Sequence, residues 1–309
     1  MTTTTSPLLI ALAVLALAAP VAAYAKTGGG EKEVPRSNNF GGDCAKCELS
    51  GRRMHGAHFM HANFAGASLV GSDLREAHFI ASSFAGADLT KADLSDSQII
   101  SVNFAGAILS HARLRDTQAV GSNFTDATLS GADFSNASAQ GANFSQAQLV
   151  GALFRSTELS GANFNRVIAR EADFRDASMQ AANLSYGRFE KANFRDAELT
   201  SATLISASFD GADFRDATLV RAAIQGADLS RARNLTQDQL DEACADGRTR
   251  VPKGLTAKAC SGGGLRVSVS PRGRVAIPAI PAPPSAPGGP APPAPPSPGY
   301  RYLVAVSGE

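Results

Sequence analysis

Every fifth residue from Leu49 to Leu229 is Leu, Phe, Met, Ile or Ala. The series runs unbroken for 37 positions and takes in fifteen of the chain's sixteen phenylalanines. Two residues before each member stands a second row, Ala at 26 of the 37 sites, with Ser, Thr, Val, Gly or Cys at most of the others. A period of five belongs neither to an α-helix, which repeats every ~3.6 residues, nor to a strand, which alternates every ~2. The chain is therefore a repeat architecture, and its core is the large row with the small row beside it.

The same rows show a longer period. Phe64, Phe84, Phe104, Phe124, Phe144 and Phe164 form one phenylalanine series at intervals of twenty, and Phe134, Phe154, Phe174, Phe194 and Phe214 form another. Leu69 to Leu149 and Asn103 to Asn183 repeat at the same interval. Four pentads per turn of a four-walled coil would place these residues in columns, where rings stack and side-chain amides form ladders. At four pentads per turn, thirty-seven pentads make about nine turns, a rod roughly 45 Å long at a spacing of about 4.8 Å per turn. Gly66, Gly71, Gly86, Gly106, Gly121 and Gly131 fall at the expected corners. Ala119, Ala139 and Ala169 occupy large-row sites beside phenylalanines. They read either as volume compensation in a filled core or as the lining of a small cavity.

Ala62-Asn63-Phe64, Ala87-Asp88-Leu89, Ala132-Asp133-Phe134 and Ala192-Asn193-Phe194 resemble the pentapeptide-repeat family, whose consensus is close to A-(D/N)-(L/F)-X-X. The resemblance covers residues 47–231; Arg52, Gly187, Arg188 and Ile168 depart from it. It implies an all-β fold, a right-handed quadrilateral β-helix, here with short N-terminal and helical C-terminal caps. Some cytoplasmic members of the family imitate DNA and act on topoisomerases.

The ends differ in composition. Leu8–Ala19 is apolar and too short to span a bilayer comfortably, and Ala23-Tyr24-Ala25 follows as a small-x-small site. Residues 1–25 thus read as a secretory signal peptide, which places the mature chain in the periplasm or outside the cell. Met1–Pro7 carries no Lys or Arg, which leaves an uncleaved anchor or a misassigned start open. Residues 26–46 are an N-terminal linker and cap, with Phe40, the one phenylalanine off the series, expected to plug the first turn. Over 232–260, Thr236 and Gln239 form a capping-box pattern that predicts a short helix over about Gln237–Ala245 burying Leu240. Residues 261–309 read as a disordered tail, with 11 Pro between Pro278 and Pro298. In an exported chain the four cysteines suggest disulfides, most simply Cys44–Cys47 and Cys244–Cys260, although four cysteines allow three connectivities.

Three constellations carry the remaining functional signal. Cys44 and Cys47 with His55, His58, His61 and His78 collect soft ligands at one end; they read as a metal site or as a disulfide-tipped cap with exposed histidines, and His58 and His78 are expected to stack. Arg75-Glu76, Arg115-Asp116, Arg175-Asp176, Arg195-Asp196 and Arg215-Asp216 form a ladder that reads as a solubilising surface or as a polyanion-binding stripe; each Arg is expected to pair with the acid beside it, which cancels the field and favours the first. Met60, Ile80, Ile100 and Val120 form an outward apolar row, either a partner surface or a sheet ladder.

No phosphate loop, nucleophile elbow or Ser/Cys–His arrangement in a cleft is visible, so no catalytic residue and no cofactor is expected. Formal net charge is +1, and residues 47–231 hold 20 acidic and 16 basic side chains in alternation. That balance offers nucleic acid no steering field and makes a poor DNA mimic. The expected partner is a protein of the cell envelope, with no nucleic acid and no small-molecule substrate; rods could also meet end to end as homodimers. The chain is thus expected to be an exported structural or interaction scaffold; the alternatives are a topoisomerase-modulating DNA mimic and a metal-binding envelope protein using the histidine-rich turns.

Overall fold

The computed structural model describes residues 42–259 and the backbone of Asn38–Phe40. The signal-peptide, Pro-rich-tail, Phe40 side-chain and Cys260 expectations lie outside the described residues.

Parallel bridges join each polar-row residue to the one twenty positions on, from Asp43↔Asn63 to Asp213↔Arg233, on all four sides. Three short strands, β1 (Asn38–Phe40), β2 (His58–Met60) and β3 (His78–Ile80), pair in parallel in that order on one wall. Elsewhere the walls are single bridges between tight turns.

One pentad shows how the backbone is satisfied. Phe104 N–H donates to Asn123 O at 2.7 Å and Gly106 N–H to Thr125 O at 2.9 Å, both in the next turn. Asn103 N–H donates to Ser82 O of the previous turn at 3.0 Å, and Ala107 N–H closes the corner onto Phe104 O at 3.0 Å. The fifth donor, Ala105 N–H, has no backbone acceptor in reach, and Asn103 Oδ1 accepts it at 3.1 Å. The same side-chain bond recurs at Asn63, Asp88, Asn123, Asp133, Asn163, Asp173 and Asp228. Asp and Asn recur before the large residue because their short side chains reach the N–H two positions on.

The corner residue after that N–H always has positive φ. From Lys46 to Gly226 every fifth residue lies between 49° and 69°, at 24 non-glycine sites as well as 13 glycines. A positive φ at the third residue of the corner, with the fourth returning its N–H to the first, is a type II turn.

Inside, the two phenylalanine series are two columns. Phe104, Phe124, Phe144 and Phe164 stack with centroids 4.9–5.0 Å apart and planes within 6°. Phe134, Phe154, Phe174, Phe194 and Phe214 stack at 5.0–5.1 Å with planes within 13°. Rings in adjacent columns meet edge to face, as Phe144 does with Phe134 at 84° and Phe154 at 85°. Both arrangements suit the ring quadrupole. No four consecutive large-row positions hold more than two phenylalanines, which keeps the cross-section of the core nearly constant. Ala119, Ala139 and Ala169 are fully buried among these rings.

Two departures from the repeat explain each other. Phe189 enters a column that holds Leu149 and Ala169 in the two turns before it, and its ring leans, meeting Phe174 at 64° and Phe194 at 62°. A Cβ on Gly187 would stand 2.4 Å from Phe189 Cε2. Gly187 and Ala169 make the room that this ring takes.

Hydroxyls on the small row also have a use. Ser82 Oγ accepts from Ala62 N–H at 3.1 Å and sits 3.4 Å from Phe59 O, bridging an opened corner of the turn before. Ser122 does the same between Val102 N–H and Ile99 O. Thr117 and Thr157 donate to Leu94 O and Phe134 O at 3.0 and 2.8 Å.

At the C-terminal end a helix, α1 (Gln237–Glu242), starts at Thr236 with both halves of the capping box made and Leu240 buried. It is shorter than the predicted Gln237–Ala245, because Ala243 is extended and Cys244 N–H bonds Ala222 O instead. The Gln239 amide donates to Phe214 O and Ala217 O at 2.9 and 2.7 Å. Cys244 and Arg250 bridge to Ala223 and Asp228, so the chain past α1 continues the walls.

Candidate functional site

The histidine-rich end spreads along a wall and its two corners. His58 and His78 occupy successive rungs and stack, with centroids 4.3 Å apart and planes at 21°. Burial pushes His78 below the usual imidazole range, the neighbouring His58 charge adds to this, and a side-chain bond with Gln98 opposes it. His55 turns away to Glu76, 3.5 Å distant, and His61 sits on a corner with φ 54°. Cys44 and Cys47 are joined to each other across a Cα–Cα distance of 5.2 Å, which occupies both sulfurs. Cys244 is also disulfide-bonded. Among the described residues no three His, Cys, Asp or Glu side chains come together to hold a metal ion.

Met60 and Val120 of the apolar row are 40% and 38% exposed, and Ile80 and Ile100 are half-buried between them. Val70, Ile108, Val150 and Tyr186 are also exposed, on other parts of the surface. Arg166 lies over the Tyr186 ring at 5.4 Å.

The Arg–Asp ladder is wired differently from its sequence reading. The arginines do not pair with the acids beside them. Arg75 binds Asp73, Arg115 binds Asp133 of the next turn, and Arg155 and Arg175 share Asp173. The reason is the corner: Arg precedes a residue of positive φ, so the adjacent carboxylate projects away while the polar row lies within reach. Burial would raise the Asp173 carboxyl, but bonds from Arg175 and Arg155 outweigh it and hold the group below the ordinary 3.8. Asp133 is held low in the same way, by Ser135 and Arg115 against its burial. The amide ladder is also less regular than expected. Asn123 bonds Asn103 and Asn163 bonds Asn143, both at 3.1 Å, but Asn143 turns to Thr125 Oγ1.

An open groove of ≈ 660 Å³ lies between the last corner and α1, lined by Arg215, Asp216, Asn234, Thr236 and Gln239 among others. Thr236 and Gln239 are committed to the helix cap and to backbone carbonyls, and Asn234 to Asp213. Of the named lining, only the Arg215 and Asp216 side chains remain uncommitted.

Models of "Pentapeptide repeats (8 copies)" match residues 43–79, 57–96, 77–116, 157–196 and 197–233. A "Pentapeptide repeat region" model matches 98–164 and fills the gap between them. The chain belongs to the pentapeptide-repeat family. Among solved pentapeptide-repeat proteins it is similar to HetL of Nostoc sp. strain PCC 7120, involved in heterocyst differentiation regulation. The two are 28% identical over 64% of this chain and 91% of HetL, with a TM-score of 0.41. Full-length QnrB1, a plasmid-mediated fluoroquinolone resistance protein, is 22% identical over 62% of this chain and 94% of its own, with a TM-score of 0.25. A pentapeptide repeat protein of the Arabidopsis thaliana thylakoid lumen is 28% identical over 40% of this chain and 72% of its own, with a TM-score of 0.26. A search of curated protein sequences gives no match.

Proposed function

We propose that this pentapeptide-repeat protein is a non-catalytic, exported scaffold that presents a rigid right-handed coil of about nine turns, closed by the helical cap, to a protein of the cell envelope. The observation that carries the reading is the filled interior. The large and small rows close on each other from Leu49 to Leu229, nearly every member below 9% exposure. Among the described residues the outer surface then holds only evenly spaced columns, and no cleft gathers catalytic groups. Such a surface recognises by repetition, one contact per turn, which suits an extended protein partner. Leu8–Ala19 and Ala23-Tyr24-Ala25 support export. Interleaved Arg and Asp support a protein partner over a DNA-mimic role.

The test is fractionation of cells expressing the full chain, with N-terminal sequencing of the product and cross-linked capture from the envelope fraction. The expected result is a mature chain beginning at Lys26 and a saturable envelope partner lost on scrambling the outward columns. A cytosolic chain starting at Met1 removes the export reading. Turnover of an envelope substrate by the purified protein removes the scaffold reading.

A further inference from the structure

We infer that the coil associates side by side with a second copy of itself, in parallel, through the wall that carries the Arg–Asp ladder. The first corner position of this wall carries Arg75, Arg115, Arg155, Arg175, Arg195 and Arg215. The second carries Glu76, Asp96, Asp116, Asp176, Asp196 and Asp216. Members one turn apart repeat at the coil spacing of about 4.8 Å, so the wall bears one basic and one acidic column side by side.

Apart from Glu76, which His55 approaches at 3.5 Å, the acidic column makes no side-chain bond within the described residues. Among the described residues Asp96, Asp116, Asp176, Asp196 and Asp216 make no side-chain hydrogen bond or ion pair, since the Arg groups turn to the polar row instead. Toward the C-terminal turns the basic column is released too. The polar row offers Arg195 an asparagine, Asn193, which accepts only its backbone N–H. Arg195 Nε is buried without a partner. Asp213 is engaged by the Asn234 amide and by Arg215 N–H, and among the described residues the Arg215 guanidinium makes no hydrogen bond or salt bridge. Arg175 stays bound to Asp173, so the wall presents charges of both signs in register over two successive turns, Arg195-Asp196 and Arg215-Asp216.

Two adjacent columns of opposite sign are self-complementary under one operation. A two-fold axis parallel to the coil, lying between the columns, exchanges them and sets each Arg against the corner Asp of the same turn on the other copy. A two-fold across the coil sets like over like. The contact is thus isologous and the copies run in parallel. A single exposed ion pair contributes little; four crossed pairs on two consecutive turns form a network, and its strength must fall as salt screens it.

Sedimentation velocity of the full chain over a concentration series tests this. At about 20 mM salt a reversible dimer is expected, weakened at least tenfold at about 1 M, where the screening length is about 3 Å. Arg195→Glu with Arg215→Glu should give monomers, and so should Asp196→Arg with Asp216→Arg. Circular dichroism should show both variants folded, because none of these side chains belongs to the apolar core. A one-to-one mixture of the two should dimerise again. In a mixture of Arg195→Cys and Asp196→Cys chains, the engineered thiols should cross-link to each other. Monomers at low salt would overturn the proposal. So would a dimer indifferent to both charge reversals, which would mark an end-to-end contact, and so would cross-linking of Arg195→Cys chains to themselves alone.

Discussion

Phe144 touches rings above, below and on both flanks, so its removal tests the interior most directly. Phe144→Ala should cost about 3–5 kcal/mol in urea unfolding; a loss below about 1 kcal/mol would mean that the column collapses into the gap. Gly187→Ala should cost about 1–3 kcal/mol through overpacking on Phe189, and Gly187→Ala combined with Phe189→Leu should recover most of it. Gly106→Ala isolates a different effect. A Cβ there meets nothing within 4 Å, so the expected penalty of about 1 kcal/mol is the positive φ alone. Which residues are buried was legible in the sequence, because a large apolar side chain on a fixed period has one place to go. The tilt of Phe189 was not. It depends on the volumes of Ala169 and Gly187 together, and a row-by-row reading treats those as separate exceptions.

At the scale of the turn, the histidine stack adds a pH response. His78 is held below its ordinary 6.5, so the folded state prefers it neutral. Its contribution is complete above pH 6.5 and is lost as pH falls toward the lowered folded value. His78→Gln extends the Gln98 and Gln118 column and should flatten this step in a pH series of thermal melts; an unchanged profile would exclude the stack as its origin. The carboxyls of Asp133 and Asp173 are also held low, so their contributions persist down to about pH 3.8 and fade only below it. At the C-terminal end Gln239→Ala removes the acceptor for Thr236 N–H and the donor to two carbonyls. A loss of about 1–3 kcal/mol is expected, with hydrogen exchange accelerated first around Leu240. The capping box was legible because it is a local pattern. The pairing of the arginines was not: the sequence shows neighbours along the chain, whereas the corner conformation makes neighbours across turns. Residue type gave no warning that Asp116 or Tyr186 would share the φ of Gly106.

Across the whole coil, the balance of Arg and Asp sets how the surface meets others of its kind. The side-by-side association should therefore disappear into monomers as ionic strength rises, with no change in the folded core. Columns at twenty-residue steps were visible in the sequence; the vacancy of their charges was not, because it follows from bonds made inward to Asp73, Asp133 and Asp173. One property of the backbone reaches further. Nearly all hydrogen bonds between turns lie along the coil axis, three for each pentad, and few tie distant turns together. Tension applied to the two ends of the coil is then carried through the turns in series, so they give way one at a time rather than all at once. In an optical trap it should lengthen as a spring does, in steps of about 61–67 Å as each set of twenty residues straightens from a turn of about 4.8 Å, and rewind from whichever turns remain.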